Sequence, residues 1–193
     1  MKYAILVTVI LMSIWGCSSP ANVNSTNTVV DSSQLFFPVT SFIKGQLKML
    51  DSIPVNLMYV AEKGTQADTS WLNKQQLSEK LAPFTQNNID LNNLTPFFAE
   101  SKFKDQTITS ITFTYQPKQK LPDSIKLQNW DVYVNSETGK IKKIFIVQKD
   151  PSGTLLQQLT WQIDQYAIIT TLKENEKGEF DRIKNEKFVW KFD

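Results

Sequence analysis

The strongest constraint on the fold is a change in hydrophobic period at about residue 107. Beyond it, apolar side chains recur at every second position, as at Ile111, Phe113 and Tyr115 and at Trp130, Val132 and Val134. This period is typical of strands with one buried face. Gly139 marks a turn between two strands, and apolar positions switch from odd to even numbers near Asp164, which predicts a turn or bulge there. The C-terminal part therefore reads as an antiparallel β-meander.

The segment before residue 107 shows helical spacing instead. Apolar residues at intervals of three and four follow Pro38, and Asn73 with Gln76 resembles the capping pair of a second helix that Pro83 should end. A third helical candidate spans 90–100. Helices followed by strands favour an α+β fold, with two or three N-terminal helices packed on one face of an antiparallel β-meander sheet.

Residues 1–16 have the pattern of an export signal. Lys2 is followed by an almost unbroken apolar run from Tyr3 to Trp15. This run is shorter than the roughly 20 residues that a membrane-spanning helix needs. A short apolar run after a basic residue predicts a secretory signal peptide.

The end of this run resembles the lipobox of bacterial lipoproteins. Ile14-Trp15-Gly16-Cys17 has a small residue before the cysteine, although Trp15 is larger than usual and Ile14 replaces the common leucine. The resemblance implies cleavage before Cys17, acylation of Cys17 and a membrane lipid anchor. By the same resemblance, Ser18 favours the outer membrane, and the absence of an acidic cluster favours its periplasmic side. The alternative is ordinary secretion with an incidental cysteine.

The remaining chain divides into a tether and one domain. Residues 17–34 comprise Cys17 and a stretch rich in Ser, Asn and Thr that has too few apolar residues to pack. Residues 35–193 are long enough for a single globular α+β domain.

Composition excludes several kinds of chemistry. The chain has no histidine, and its one cysteine is Cys17, so Ser-His or Cys-His catalysis, a histidine metal site and an internal disulfide are absent. With 21 basic and 19 acidic residues it also lacks the basic excess of a nucleic-acid-binding protein. We expect no cofactor, no metal, no nucleic-acid partner and no enzymatic activity.

Two catalytic alternatives depend on short matches. Ser41 with Lys44, and Tyr133 with Asn135, match two elements of serine acylases, but the third element, K-T-G, is missing. A histidine-free hydrolase would instead need paired carboxylates. The candidates for such a pair are Asp131, Glu137 and Asp164.

Three tryptophans lie on separate predicted strands. Trp130, Trp161 and Trp190 can form a hydrophobic core beneath the helices, which is the simpler interpretation. The alternative is an exposed or cavity-lining patch that binds a partner, a lipid or a glycan.

Two further resemblances concern the domain. Residues 130–147, with their strand-turn-strand pattern, resemble PepSY-type periplasmic modules. The pattern from Phe37 to Phe192 is similar to small uncharacterised lipoproteins of Bacteroidota, which implies a cell-envelope location and no assigned activity. Our leading hypothesis is a non-enzymatic binding or scaffolding module anchored to the outer membrane. The alternatives are a periplasmic lipid or lipoprotein carrier with an aromatic-lined cavity, and a carboxylate-based hydrolase.

Overall fold

The computed structural model describes residues 36–52, 54, 57–90, 92–105, 107 and 109–190. The predicted signal peptide, Cys17 and the tether 17–34 lie outside the described residues. So do Ile108 and the last three residues of the chain.

Strands dominate the described part of the chain. They are β1 (Leu57–Lys63), β2 (Gln66–Leu72), β3 (Phe98–Asp105), β4 (Ser110–Pro117), β5 (Leu127–Asn135), β6 (Ile141–Lys149), β7 (Leu156–Gln162), β8 (Tyr166–Glu174) and β9 (Phe180–Val189). Within that part, these nine strands form one sheet in the order β2-β1-β9-β8-β7-β6-β5-β4-β3. Every pairing is antiparallel. The predicted antiparallel meander is confirmed, and β3 to β9 follow one another across the sheet.

Two short helices accompany the sheet. They are α1 (Val39–Ser52) and α2 (Lys74–Leu81), and short 3₁₀ turns follow at Ala82–Thr85 and Asn92–Leu94. Asn73 and Gln76 form the predicted capping box of α2: the Gln76 N–H donates to the Asn73 side chain, and the Asn73 N–H donates to the Gln76 side chain. As expected, α2 ends just before Pro83.

The first turn of α1 is satisfied by a residue distant in sequence. The backbone N–H and the hydroxyl of Ser41 donate to the carboxylate of Asp90, at 3.0 and 2.6 Å. An acidic side chain stabilises a helix N-terminus because it pairs with free N–H groups and with the helix dipole. This contact ties α1 to the segment that follows α2.

The fold is mainly β rather than an even α+β mixture. The third helical candidate, 90–100, was wrong: it contains one 3₁₀ turn, and β3 already begins at Phe98. Pro96 lacks the N–H that a helix interior requires, and Phe98 pairs with Pro117 in the sheet instead. Strand β2 was also not predicted, because its sequence, QADTSWL, lacks apolar alternation.

The helices pack on one face of the sheet, which we call the inner face. A Lys80 ammonium from α2 lies over the Tyr59 ring of β1, and Phe84 from the 3₁₀ turn meets Trp161 of β7 edge-on. Tyr59 and Trp161 belong to one register row across the sheet, so they point to the same side. The opposite side is the outer face.

Two predicted turns set which residues reach the inner face. Gly139, between β5 and β6, adopts the left-handed backbone with φ of 67°, which glycine tolerates without strain. Asp164 lies in the turn between β7 and β8 with φ of 59°. The predicted change of parity near Asp164 is therefore confirmed as a tight turn.

Candidate functional site

All three tryptophans of the predicted binding patch lie in the core. Trp130 and Trp161 are 0% exposed and Trp190 is 9% exposed. Trp130 stacks on Tyr115 with a centroid separation of 4.5 Å, while Trp161 packs against Phe84 and Trp190. The core interpretation is the one that the structure shows. An exposed patch built from these rings does not form, because the helices and turns cover the inner face around them.

An apolar cleft opens on the inner face near β3, β4 and β5. It has a volume of about 460 Å³ and is open to solvent. We call it the Phe113 cleft. Its lining residues are Phe36, Phe37, Pro38, Glu100, Phe113, Tyr115, Val132 and Val134. Its volume lies within the range of about 300–1,000 Å³ typical of small-molecule sites, toward the lower end.

Two strands, β4 and β5, build the floor of the cleft. In the sheet register, Tyr115 of β4 lies opposite Trp130 of β5, and Phe113 lies opposite Val132. The floor is apolar because the inner-face positions of β4 and β5 carry aromatic and branched side chains. No helix covers Phe113, which stays partly exposed.

The segment just before α1 forms the opposite wall. Phe36 contacts both Tyr115 and Trp130 edge-on, with centroid separations of 5.1 and 5.8 Å. The Phe37 N–H donates to the Tyr115 hydroxyl oxygen at 3.4 Å. Phe37 also packs against Phe42 of α1. The wall is therefore held both to the sheet and to the first helix.

Strand β3 adds charge to one side of this apolar site. Its inner-face positions are Glu100, Lys102 and Lys104, which lie opposite Tyr115, Phe113 and Ile111 of β4. The Lys102 ammonium lies 5.3 Å from the centre of the Phe113 ring. One side of the cleft thus carries the Glu100 carboxylate and, over Phe113, the Lys102 ammonium, and Lys104 lies two positions further along the edge strand.

Tyr115 is the buried polar group at the base of the cleft. Burial raises the pKa of its hydroxyl well above the usual value, and the neighbouring Glu100 carboxylate raises it further, while the Phe37 N–H acts in the opposite direction. Tyr115 is therefore a neutral hydroxyl at physiological pH. It can orient Glu100 at the cleft but does not act there as a base.

The elements of the acylase match are on different sides of the sheet. The Ser41 hydroxyl donates to Asp90 at the start of α1, on the inner side. Tyr133 belongs to the outer face of β5, since its neighbours Val132 and Val134 line the inner-face cleft. Asn135 accepts from the backbone N–H groups of the β5–β6 turn. These residues have local structural roles, and the structure does not bring them together.

The three carboxylates proposed for a hydrolase also have separate settings. Asp131 lies on the outer face of β5 beside Tyr133; burial first, and then the Asp131 charge, raises the pKa of Tyr133. Glu137 and Asp164 lie in two different turns. The carboxylate that lines the Phe113 cleft is Glu100, and none of the three candidates belongs to that lining.

The outer face carries aromatic rings and lysines side by side. Lysine ammonium groups lie over Tyr133 and Tyr166, from Lys143 at 3.9 Å and from Lys187 at 5.1 Å. Such alternation of aromatic and polar groups is typical of the solvated side of an antiparallel sheet.

The described residues contain neither a metal-holding group of side chains nor a helix that could span a membrane. Across the described ranges, no group of three or more His, Cys, Asp or Glu side chains is arranged to hold a metal ion. Among the same residues, no helix is both long and apolar enough to cross a bilayer.

Comparisons with known proteins give no match, so the site is interpreted from its own residues. No protein-family profile matches the sequence, and neither curated proteins nor solved structures give a match.

Sequence reasoning did not identify the cleft. The alternation at 111–115 indicates a half-buried β4, but nothing in it separates a covered position from an open one. Glu100 was hidden because 90–100 was interpreted as a helix, and no strand was predicted for the residues that follow it, which include Lys102. The pattern Glu-Ser-Lys-Phe-Lys from Glu100 to Lys104 does alternate charge on one side, which is the signal that could have placed them on an edge strand.

Proposed function

We propose that this domain is a non-enzymatic binding module of the bacterial cell envelope that receives an elongated apolar group in the Phe113 cleft. The observation that supports this proposal is an open apolar cleft with few, convergent polar groups, which is the usual composition of a binding site. Four of its eight lining residues are aromatic, and such rings offer a large contact area with few rotatable bonds.

The expected affinity follows from the size of the cleft. Each buried methylene group contributes about 0.8 kcal/mol, and six of them contribute about 5 kcal/mol before the entropy of association is subtracted. Since about 5 kcal/mol corresponds to a Kd of roughly 0.2 mM before that entropy is subtracted, a single acyl chain is expected to bind with a Kd of about millimolar strength or weaker. This range suits a module whose ligand is concentrated at a membrane.

We further propose that the chain is held at the outer membrane through acylated Cys17, facing the periplasm. Support comes from the sequence pattern at residues 14–17 and from the polar tether that follows. Two or more acyl chains give durable membrane attachment, whereas one chain binds only marginally. An anchor of this kind would keep the cleft within reach of membrane lipids.

A carrier that encloses its ligand is the second candidate. The apolar cleft favours it, since lipid carriers need such a surface. However, the centre of the inner face is filled by Trp130, Trp161 and their neighbours, and the Phe113 cleft is open to solvent. We therefore favour a binding module over an enclosing carrier.

The cleft is tested by titration with a monoacylglycerol, which has an acyl chain and an uncharged head group. The full-length Cys17→Ser chain is labelled at its methyl groups and followed by NMR. The methyl signals of Val132 and Val134 should shift, while those of Val147, at an outer-face position of β6, should not. Phe113→Ser should weaken binding about tenfold or more, because it removes a ring from the cleft floor.

Phe103→Ser is the matched control. Phe103 lies on β3 next to β4, but its side chain is on the outer face and is 66% exposed. Its replacement should leave the titration unchanged. Equal shifts over both faces, or equal weakening by the two variants, would contradict the assignment of the cleft.

The anchor is tested separately in cells. Cys17→Ser should release the protein from membranes and abolish incorporation of labelled fatty acid. A protein that remains membrane-bound without label would refute the lipid anchor, with no consequence for the cleft.

A further inference from the structure

We infer that the occupant of the Phe113 cleft is a zwitterionic membrane phospholipid with a single acyl chain, whose ammonium group is bound by Glu100 and whose phosphate is bound by Lys102 and Lys104. This inference rests on the proposed binding function and specifies its ligand. It is carried by the juxtaposition of an apolar floor and an ordered row of charges.

The charges are on the correct side of the sheet. Three residues of β3 are paired directly with three inner-face residues of β4, so both sets lie on the inner face. The pairs are Glu100 with Tyr115, Lys102 with Phe113, and Lys104 with Ile111. Side chains two positions apart on an antiparallel strand are separated by about 6.8 Å. One carboxylate and its neighbouring ammonium group can therefore contact two opposite charges of one small head group.

The order of the charges sets the orientation of the ligand. Glu100 is beside the buried Tyr115 hydroxyl and lines the cleft. Its carboxylate can accept further hydrogen bonds from a primary ammonium group. Lys102 and Lys104 lie further along β3, where their ammonium groups offer charge-assisted hydrogen bonds to phosphate oxygens.

The apolar part of the site accommodates one chain. At about 460 Å³ the cleft is at the lower end of small-molecule sites. Phe113 and Val132 lie side by side on neighbouring strands, so an acyl chain crossing from β3 toward β5 would run over apolar side chains throughout. The Lys102 ammonium already lies over the Phe113 ring, at the junction between head group and chain.

The same charges argue against a peptide strand as the occupant. β3 is the edge of the sheet, and extended peptides can add to such edges. Lysines that point inward from an edge strand are a common feature that discourages strand addition. The ligand should therefore be bound by side chains on the inner face rather than by the backbone of β3.

The test compares three amphiphiles with the same acyl chain, each below its micelle concentration, on the full-length Cys17→Ser chain. The probes are lysophosphatidylethanolamine, lysophosphatidylglycerol and the monoacylglycerol, and the readout is Kd from calorimetry. We expect the ethanolamine lipid to bind about tenfold more tightly than the monoacylglycerol, as charged hydrogen bonds at an exposed site would give.

Two variants test the roles of Lys102 and Glu100 separately. Lys102→Gln should reduce the affinity for both phospholipids about tenfold more than it reduces the affinity for the monoacylglycerol. Glu100→Gln should abolish the preference for ethanolamine over glycerol head groups. Lys173→Gln, at an exposed position on β8, is the matched control and should change none of the three affinities.

The outcomes distinguish the inference from the function on which it rests. If all three amphiphiles bind equally and the charge variants have no effect, head-group recognition is refuted and the apolar cleft stands. If lysophosphatidylglycerol binds best, the ligand is anionic and the role of Glu100 is refuted. If none of the three binds, both the inference and the proposed binding function are overturned.

Discussion

One row of inner-face residues shows two different environments on the same sheet. It runs, in register across the strands, through Tyr59, Phe188, Ala167, Trp161, Ile144, Val132, Phe113 and Lys102. From Phe188 to Val132 the side chains are at most 1% exposed. Phe113, the next member, is only partly buried, and Lys102 is exposed. The members from Tyr59 to Val132 form the covered region, and the β3–β4 end, with Phe113 and Lys102, is the open region.

The difference between these regions is one of coverage rather than of strand sequence. α2 and the turn after it place Lys80 over β1 and Phe84 over β7, and the Pro83 carbonyl accepts from the buried Gln148 side chain of β6. Two short helices cannot cover nine strands. The open region is where their cover ends, and there the apolar floor remains accessible to a ligand.

The largest effect should come from truncating an aromatic ring in the covered region. Trp161→Ala should lower the free energy of unfolding by about 3–5 kcal/mol, because it removes a fully buried ring and leaves a cavity. Phe113→Ala in the open region should cost about 1–2 kcal/mol, since less area is lost from burial. Urea unfolding measures both.

The exposed Phe103→Ala is the control for this comparison and should change stability by less than about 0.5 kcal/mol. Should Trp161→Ala prevent folding, the milder Trp161→Phe substitutes for it and should still cost more than Phe113→Ala. Similar losses for Trp161→Ala and Phe113→Ala would contradict the distinction between covered and open regions.

An intermediate effect is expected where the covering segments are joined. The buried Thr40 hydroxyl donates to the Asn87 carbonyl at 2.7 Å and accepts from the Ile89 N–H at 2.9 Å. Thr40→Val keeps the shape but removes both of these bonds. The Ile89 N–H and the Asn87 carbonyl then keep only the 3.1 Å bond between them, so we expect a cost of about 1 kcal/mol. The exposed Thr85→Val is the control, because its hydroxyl makes one local bond. Equal stability of both variants would mean that this connection does not hold the cover.

The smallest effect concerns alkaline pH. Burial raises the pKa of Tyr59 and of Tyr115 above the usual value near ~10, and Glu186 and Glu100 respectively raise it further. Above that pH the folded protein retains protons that the unfolded chain releases, so the free energy of unfolding decreases as pH rises. Tyr59→Phe and Tyr115→Phe should each make this decrease less steep in thermal unfolding between pH 9 and 11. A decrease as steep as in the parent protein would contradict the raised pKa values.

Local patterns in the sequence were sufficient for much of the fold. The alternation beyond residue 107 predicted the meander, and the Asn73–Gln76 pair predicted the start of α2, because both depend on neighbours in sequence. The candidate site was not predictable in the same way. Glu100 and Phe113 come to line one cleft only through strand pairing, whereas the core position of the tryptophans was already the simpler interpretation of the sequence.

The sequence alone determined the antiparallel strands, the turn at Asp164 and the absence of histidine chemistry, because period, turn residues and composition are properties of the chain itself. It also carries the prediction of a lipid anchor at Cys17. Tertiary structure decided which inner-face residues became core, as in the covered region, and which came to line a cleft, as around Phe113. Burial depends on what packs against a surface: Phe84, from the turn after α2, packs on Trp161, and Phe36, before α1, packs on Trp130, whereas Phe113 stays partly exposed.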